Sequence, residues 1–293
     1  MILQLFGGRG GASGGGGGLG RAGGSAVDLS AATPPDDFPE AFQPGVDLVA
    51  AGWVNHVSRT VTNTTQKQWD AFTTSYQSGM TAQDDANLLK DWEPSTDQLY
   101  GYVRTSNSFE INKALYDPAN AGKTDAEIFT RKDLSGRLRD LETVQSLDKG
   151  ISTHVTQADA SYVRFCSTGA VQATFGLSDG EMAMLSNARS LNPAQLSTLN
   201  SALAGKTSYT NAYTSTSANR SMNAFSNPNA PQSKGFIFER KINVRQGTNA
   251  FAVRRNAQES EVIFGRRMET RLTGVSISSD GHIVLHESFT QYK

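Results

Sequence analysis

A chain of 293 residues with a net charge of -1 and a pI near 6.4 carries no bulk positive field to gather nucleic acid or an anionic membrane surface. Its single cysteine, Cys166, excludes an intramolecular disulfide, and no run approaches the ~20 apolar residues that span a bilayer. The histidines His56, His154, His282 and His286 are scattered, and without a Cys/His set at ligand spacing no metal site is expected.

Of the 28 glycines, 12 fall in the first 24 residues, and residues 7–25 cannot bury enough surface to offset their ordering entropy. Pro34, Pro35, Pro39 and Pro44 continue the extended character. Residues 1–45 therefore read as a flexible Gly/Pro-rich leader, and the folded domain as 46–293. Residues 1–6 are too short an apolar run for a signal-peptide core and lack a basic flank.

A helical block follows. Trp69, Phe72 and Tyr76 fall on one face, as do Leu88, Leu89 and Trp92. Ser95-x-x-Gln98 caps a helix presenting Leu99, Tyr102 and Val103, and Asn107-x-x-Glu110 caps one presenting Ile111 and Leu115. Thr124-x-x-Glu127 predicts a longer helix with Leu134, Leu138 and Leu141 inward. From residue 160 the period shortens. Residues 160–165 read as a strand. Ser178-x-x-Glu181 starts a short helix, and Asn192-Pro193 starts another with Leu196, Leu199 and Leu203. Strands are expected at 210–217, 235–244, 250–254, 261–264 and 271–278, and Asp280-Gly281 marks a hairpin. Helices first and strands afterwards argue for an α+β fold with mostly antiparallel sheets.

Three strand motifs can share chemistry. Glu259-Ser260-Glu261 precedes the apolar run Val262, Ile263 and Phe264. On an extended segment both carboxylates point the same way, one for each half of a transfer reaction. Upstream lies Tyr213-Thr214-Ser215-Thr216-Ser217, whose hydroxyls can hold a carboxylate in one rotamer. Arg164, inside Tyr162-Val163-Arg164-Phe165, is costly to bury without an anionic partner. Arg104 is its rival.

The order Arg, Ser-Thr-Ser, Glu-x-Glu resembles the mono-ADP-ribosyltransferase toxins over roughly residues 100–290. The resemblance implies helices packed on two roughly perpendicular β-sheets, with NAD as substrate. It implies that Glu261 serves the ribose and its developing positive charge, that Glu259 engages the acceptor, and that Ser215 hydrogen-bonds Glu261. Arg164, Thr216 and Ser217 would bind NAD, together with Arg220 or Phe225 on the loop after the Ser-Thr-Ser strand. Arg254, Arg255 and Asn256 would lie on the target-recognition loop. The implied partner is a host protein, with actin the first choice and a Rho-type GTPase the second. The chain would act in host cytoplasm after secretion or delivery by a toxin complex. It also resembles the variable end of the C component of insecticidal Tc toxins, which implies a translocating carrier. Neither nucleic acid nor stable membrane insertion is implied. Two other readings stand beside this one: an NAD glycohydrolase, and a silent binding or structural module with the same fold.

Overall fold

The computed structural model describes residues 38–42, 63–77, 79–89, 102, 107–222, 233–254 and 259–291. Helices α1 (Asn63–Gln77), α2 (Ala82–Leu89), α3 (Asn107–Tyr116), α4 (Asp125–Ile128) and α5 (Arg139–Thr153) precede the first strand, β1 (Ala160–Cys166). Three helices follow, α6 (Thr168–Phe175), α7 (Asp179–Ser186) and α8 (Pro193–Leu203), and then β2 (Thr207–Thr210) and β3 (Thr214–Ser217). The remaining strands are β4 (Phe238–Val244), β5 (Ala250–Ala252), β6 (Glu261–Phe264), β7 (Met268–Ile277) and β8 (Ile283–Gln291). None of the described helices is long and apolar enough to cross a membrane.

Local signals set several helix starts. Ser178 and Glu181 bond reciprocally at the head of α7, and Asn192 and Gln195 do so ahead of Pro193 in α8. The Thr124–Glu127 box also forms, but its helix stops at Ile128. The longer helix expected there is broken by a turn at Asp133. The Asp133 carboxylate accepts from Ser135 N at 2.8 Å and Arg137 N at 2.9 Å, and Gly136 adopts φ 79°. Leu134 is therefore 76% exposed instead of inward, and α5 begins afresh at Arg139.

The strands form one continuous order, β2-β7-β8-β4-β1-β3-β6-β5, in which the β4–β8 pair alone is parallel. The two expected sheets exist as halves of five and three strands, joined through the Val163↔Ser217 pair of β1 and β3. Between the halves lies a core that includes Tyr162, Ile242, Phe264 and Phe289, closed by Trp69, Tyr76 and Phe42. A second core packs α6, α7 and α8 on the five-stranded half through Val171, Leu185, Leu199, Phe238 and Leu285. A third packs α3 and α5 on the three-stranded half through Ile111, Leu147, Tyr213, Phe251 and Ile263.

Helix α1 covers the outer edge of β5. Trp69 Nε1 donates to Val253 O at 2.9 Å, and Gln77 Nε2 to Ala252 O at 3.4 Å, so side chains occupy carbonyls that an exposed edge would leave open. Residues 38–42, inside the expected leader, belong to the fold: Glu40 bridges Ser161 of β1, and Phe42 is buried. The remainder of the leader, Arg104 and the segment around Leu99 lie outside the described residues.

Candidate active site

Strands β3 and β6 run antiparallel with Ser217 opposite Glu261 and Ser215 opposite Ile263. Residues two apart on a strand share a face, which brings Ser215 diagonally against Glu261. The Ser215 hydroxyl donates to Glu261 Oε1. Glu261 is 0% exposed and opens β6, and its main-chain oxygen accepts from Val253 N at 2.9 Å.

Glu259 does not extend that strand. Glu259 and Ser260 form a turn, and Ser260 adopts φ 48°, a left-handed conformation unusual for a residue with a side chain. The expected alternation across Glu-x-Glu therefore fails. Both carboxylates are nonetheless taken from water, with Glu259 7% exposed. Hydrogen bonds hold the turn in place: Ala218 N donates to Ser260 O at 2.8 Å, and Ser217 Oγ lies 2.6 Å from Glu259 O.

Arg164 lies on β1, which meets β3 at Val163 and Ser217, and Tyr102 packs on Tyr213 just before β3. Arg164 is partly buried, and its Nε is buried without a hydrogen-bond partner in the structure. Burial pushes the Tyr102 hydroxyl pKa up; the Asn112 hydrogen bond lowers it, the Glu261 carboxylate raises it and the Arg164 guanidinium lowers it. Tyr102 thus feels both charged groups. Asn112 Nδ2 donates to Tyr102 Oη at 2.8 Å while Asn112 Oδ1 accepts from Tyr213 N at 3.1 Å, linking α3 to the Ser-Thr-Ser strand. The Tyr102 and Tyr213 rings meet edge to face at 5.6 Å. The sequence marks Tyr102 only as core and gives no signal at Asn112, whose role depends on Tyr213, 101 residues further along the chain.

Several expected contacts go elsewhere. Thr216 Oγ1 donates to Val262 O at 2.8 Å, and Ser217 Oγ lies 2.7 Å from Asn219 O. Both residues are fully buried, and their hydroxyls are engaged by main-chain carbonyls. Arg220, expected on NAD, is committed to carboxylates: Nε donates to Glu239 at 2.7 Å and Nη2 to Asp280 at 2.8 Å. Its guanidinium lies 5.7 Å from the Phe165 ring. Phe165 and Arg164 are consecutive in β1 and project to opposite faces, which puts Arg220 behind the sheet from Arg164. Arg254 is exposed, 3.9 Å from Asp70. Phe225, Arg255 and Asn256 lie outside the described residues. Among the described residues no cluster of His, Cys, Asp and Glu could hold a metal ion.

The arrangement offers a buried carboxylate fixed by a hydroxyl, a second carboxylate one turn away, and a guanidinium with spare donor capacity. That set can hold an anionic substrate and stabilise positive charge at a sugar carbon.

A model of the ADP-ribosyltransferase exoenzyme family matches residues 73–290. Among solved structures, C3stau2 from S. aureus, determined with NAD, is similar at TM-score 0.54 with 18% identity, covering 80% of this chain and 99% of its own. Plx2a, an ADP-ribosyltransferase toxin from Paenibacillus larvae, gives TM-score 0.49 and 13% identity over 77% of this chain and 95% of its own. BECa, from a binary enterotoxin of C. perfringens and determined with NADH, gives 0.49 and 16% over 77% and 48%. The likeness to C3stau2 establishes the α+β fold. No curated protein matches the chain.

Proposed function

This chain belongs to the ADP-ribosyltransferase exoenzyme family, and from that premise we propose that it cleaves NAD at the nicotinamide–ribose bond and transfers ADP-ribose to a side chain of a host protein. NAD is the substrate and the reaction is a mono-ADP-ribosyl transfer.

The observation that carries the reading is the buried Glu261 carboxylate, held by Ser215, in a site shared with Arg164. Nicotinamide leaves with the bonding electrons and positive charge develops at the ribose carbon, as in glycoside cleavage. Glu261 is the group to engage the ribose and offset that charge. Ser215 keeps its carboxylate in one rotamer. The Arg164 fork matches the pyrophosphate, and its partnerless buried Nε fits an anion that supplies the missing acceptor. Glu259, across the left-handed Ser260, is the group to polarise the incoming nucleophile.

Glu at position 259 favours transfer over hydrolysis, since water as acceptor leaves that carboxylate without work. It also favours actin as the target, with a Rho-type GTPase second, because Glu-x-Glu toxins frequently modify actin. Arg254, exposed where the recognition loop leaves β5, suits an acidic patch on that target. The proposed route is delivery by a toxin complex of the Tc type, followed by action in host cytoplasm.

The test is biotin-labelled NAD in a eukaryotic lysate, with the wild type beside Glu261→Ala. A labelled band near the mass of actin that vanishes in Glu261→Ala is expected. A band at the mass of a small GTPase instead moves the target to the second choice. Nicotinamide release that depends on Glu261 without any labelled protein overturns transfer in favour of hydrolysis.

A further inference from the structure

Residues 38–42 precede the region matched to the family, which begins at residue 73, and so do Trp69 and Phe72. They nevertheless reach the site. Ser161 N donates to Pro39 O at 2.8 Å and Ala41 N to Ser161 O at 3.2 Å, so the segment adds itself to the edge of β1. The buried Phe42 ring packs on Trp69 and Phe72, with centroids 5.1 and 5.5 Å away.

From this anchor three hydrogen bonds run to the loop after β3. Phe42 N donates to Ala218 O at 3.0 Å, Asn219 Nδ2 donates to Phe42 O at 2.7 Å, and Arg220 N donates to Glu40 Oε1 at 3.3 Å. The same loop grips the Glu-x-Glu turn through Ala218 N to Ser260 O and through Ser217 Oγ, shared between Asn219 O and Glu259 O. The left-handed conformation of Ser260 is strained for a residue with a side chain. Such backbone persists where its surroundings over-determine it.

We propose that residues 38–42 are a positioning strap for the transfer reaction, in which Phe42, acting through Ala218 and Asn219, holds the turn that carries Glu259 and leads into Glu261. The strap rests on the ADP-ribosyl-transfer reading for its function. Its consequence is that catalysis in this chain depends on a segment outside the matched family region. The positioning residues are Phe42 and Asn219; neither needs to touch NAD.

The informative variant is Asn219→Asp. It keeps an oxygen to accept from Ser221 N, now at 3.0 Å, but turns the Phe42-facing donor into a second acceptor. In the full chain it is expected to lower kcat for nicotinamide release about tenfold while the NAD KM moves less than about threefold. Amide hydrogen exchange at residues 259–261 should quicken in parallel. Phe42→Ala should behave the same way, and Phe42→Leu, which keeps an apolar anchor, should restore kcat to within about twofold. A folded Asn219→Asp with wild-type kcat and wild-type exchange at 259–261 overturns the strap. If Phe42→Ala fails to fold, Asn219→Asp alone decides. If the wild type releases no nicotinamide, the functional reading falls, and unchanged exchange at 259–261 still overturns the strap on its own.

Discussion

Ser215 and Glu261 meet across the β3–β6 pair, the hydroxyl of one donating to a carboxylate oxygen of the other where neither is open to solvent. Removing the hydroxyl leaves a buried acceptor short of a partner, at about 1–3 kcal/mol. If the bond is used in the transition state, Ser215→Ala should lower kcat by about one to two powers of ten. Steady-state nicotinamide release checks this. Ser215→Thr, which keeps an acceptable donor, should recover part of the loss.

Arg164 calls for a different signature. Its Nε is buried without a hydrogen-bond partner, and in the proposed reading it meets the NAD pyrophosphate, an anion present before and during the reaction. Arg164→Lys keeps the charge but loses the planar fork. The NAD KM should rise about tenfold with a smaller change in kcat, read from initial rates across an NAD series.

Arg240 lies directly opposite Arg164 in the β1–β4 register, yet its charge is answered elsewhere. Its Nε and Nη2 each lie 2.7 Å from Glu287, whose carboxylate also accepts from Thr270 Oγ1 at 2.7 Å. Both members of the pair are buried. Glu287→Gln strands the guanidinium and should cost about 3–5 kcal/mol. The double variant Arg240→Met, Glu287→Leu should recover most of that stability, as urea unfolding would measure.

Acid stability depends in part on Glu181. Its hydrogen bond from Ser178 N, then its pairing with Lys206 and the Ser178 hydroxyl, hold the carboxyl pKa down from 4.5 to about 2. A depressed carboxylate stabilises the fold above its unfolded pKa, and that contribution is lost as pH falls through the folded one. The thermal midpoint should therefore drop between pH 4.5 and about 2, and drop less steeply in Glu181→Gln. Scans at the two ends of that window test it.

What could be read in the sequence was local or periodic. The bounds of β6 are legible in full and those of β1 to within one residue, and the Ser178-x-x-Glu181 box and the Asn192 cap ahead of Pro193 form as the sequence implies. The Asp133 turn and the left-handed Ser260 escaped because each depends on hydrogen bonds from one backbone conformation that no apolar period reveals. Long-range partners escaped for another reason. Nothing near Arg220 in the sequence announces Glu239 or Asp280, which hold its guanidinium on the opposite face of β1 from Arg164. Asn112 likewise acquires meaning only when α3 meets Tyr102 and Tyr213. The motif order pairs Ser215 with Glu261 as the resemblance implies, while the fold decides which other hydroxyls and guanidiniums lie near them.

The most direct measurement follows two products at once, free nicotinamide and labelled protein, for the wild type, Glu261→Gln and Glu259→Gln. Glu261→Gln is expected to lose both products by at least about a thousandfold, while Glu259→Gln still releases nicotinamide and labels little or no protein. A folded Glu261→Gln that labels protein at the wild-type rate would contradict the assignment of the site.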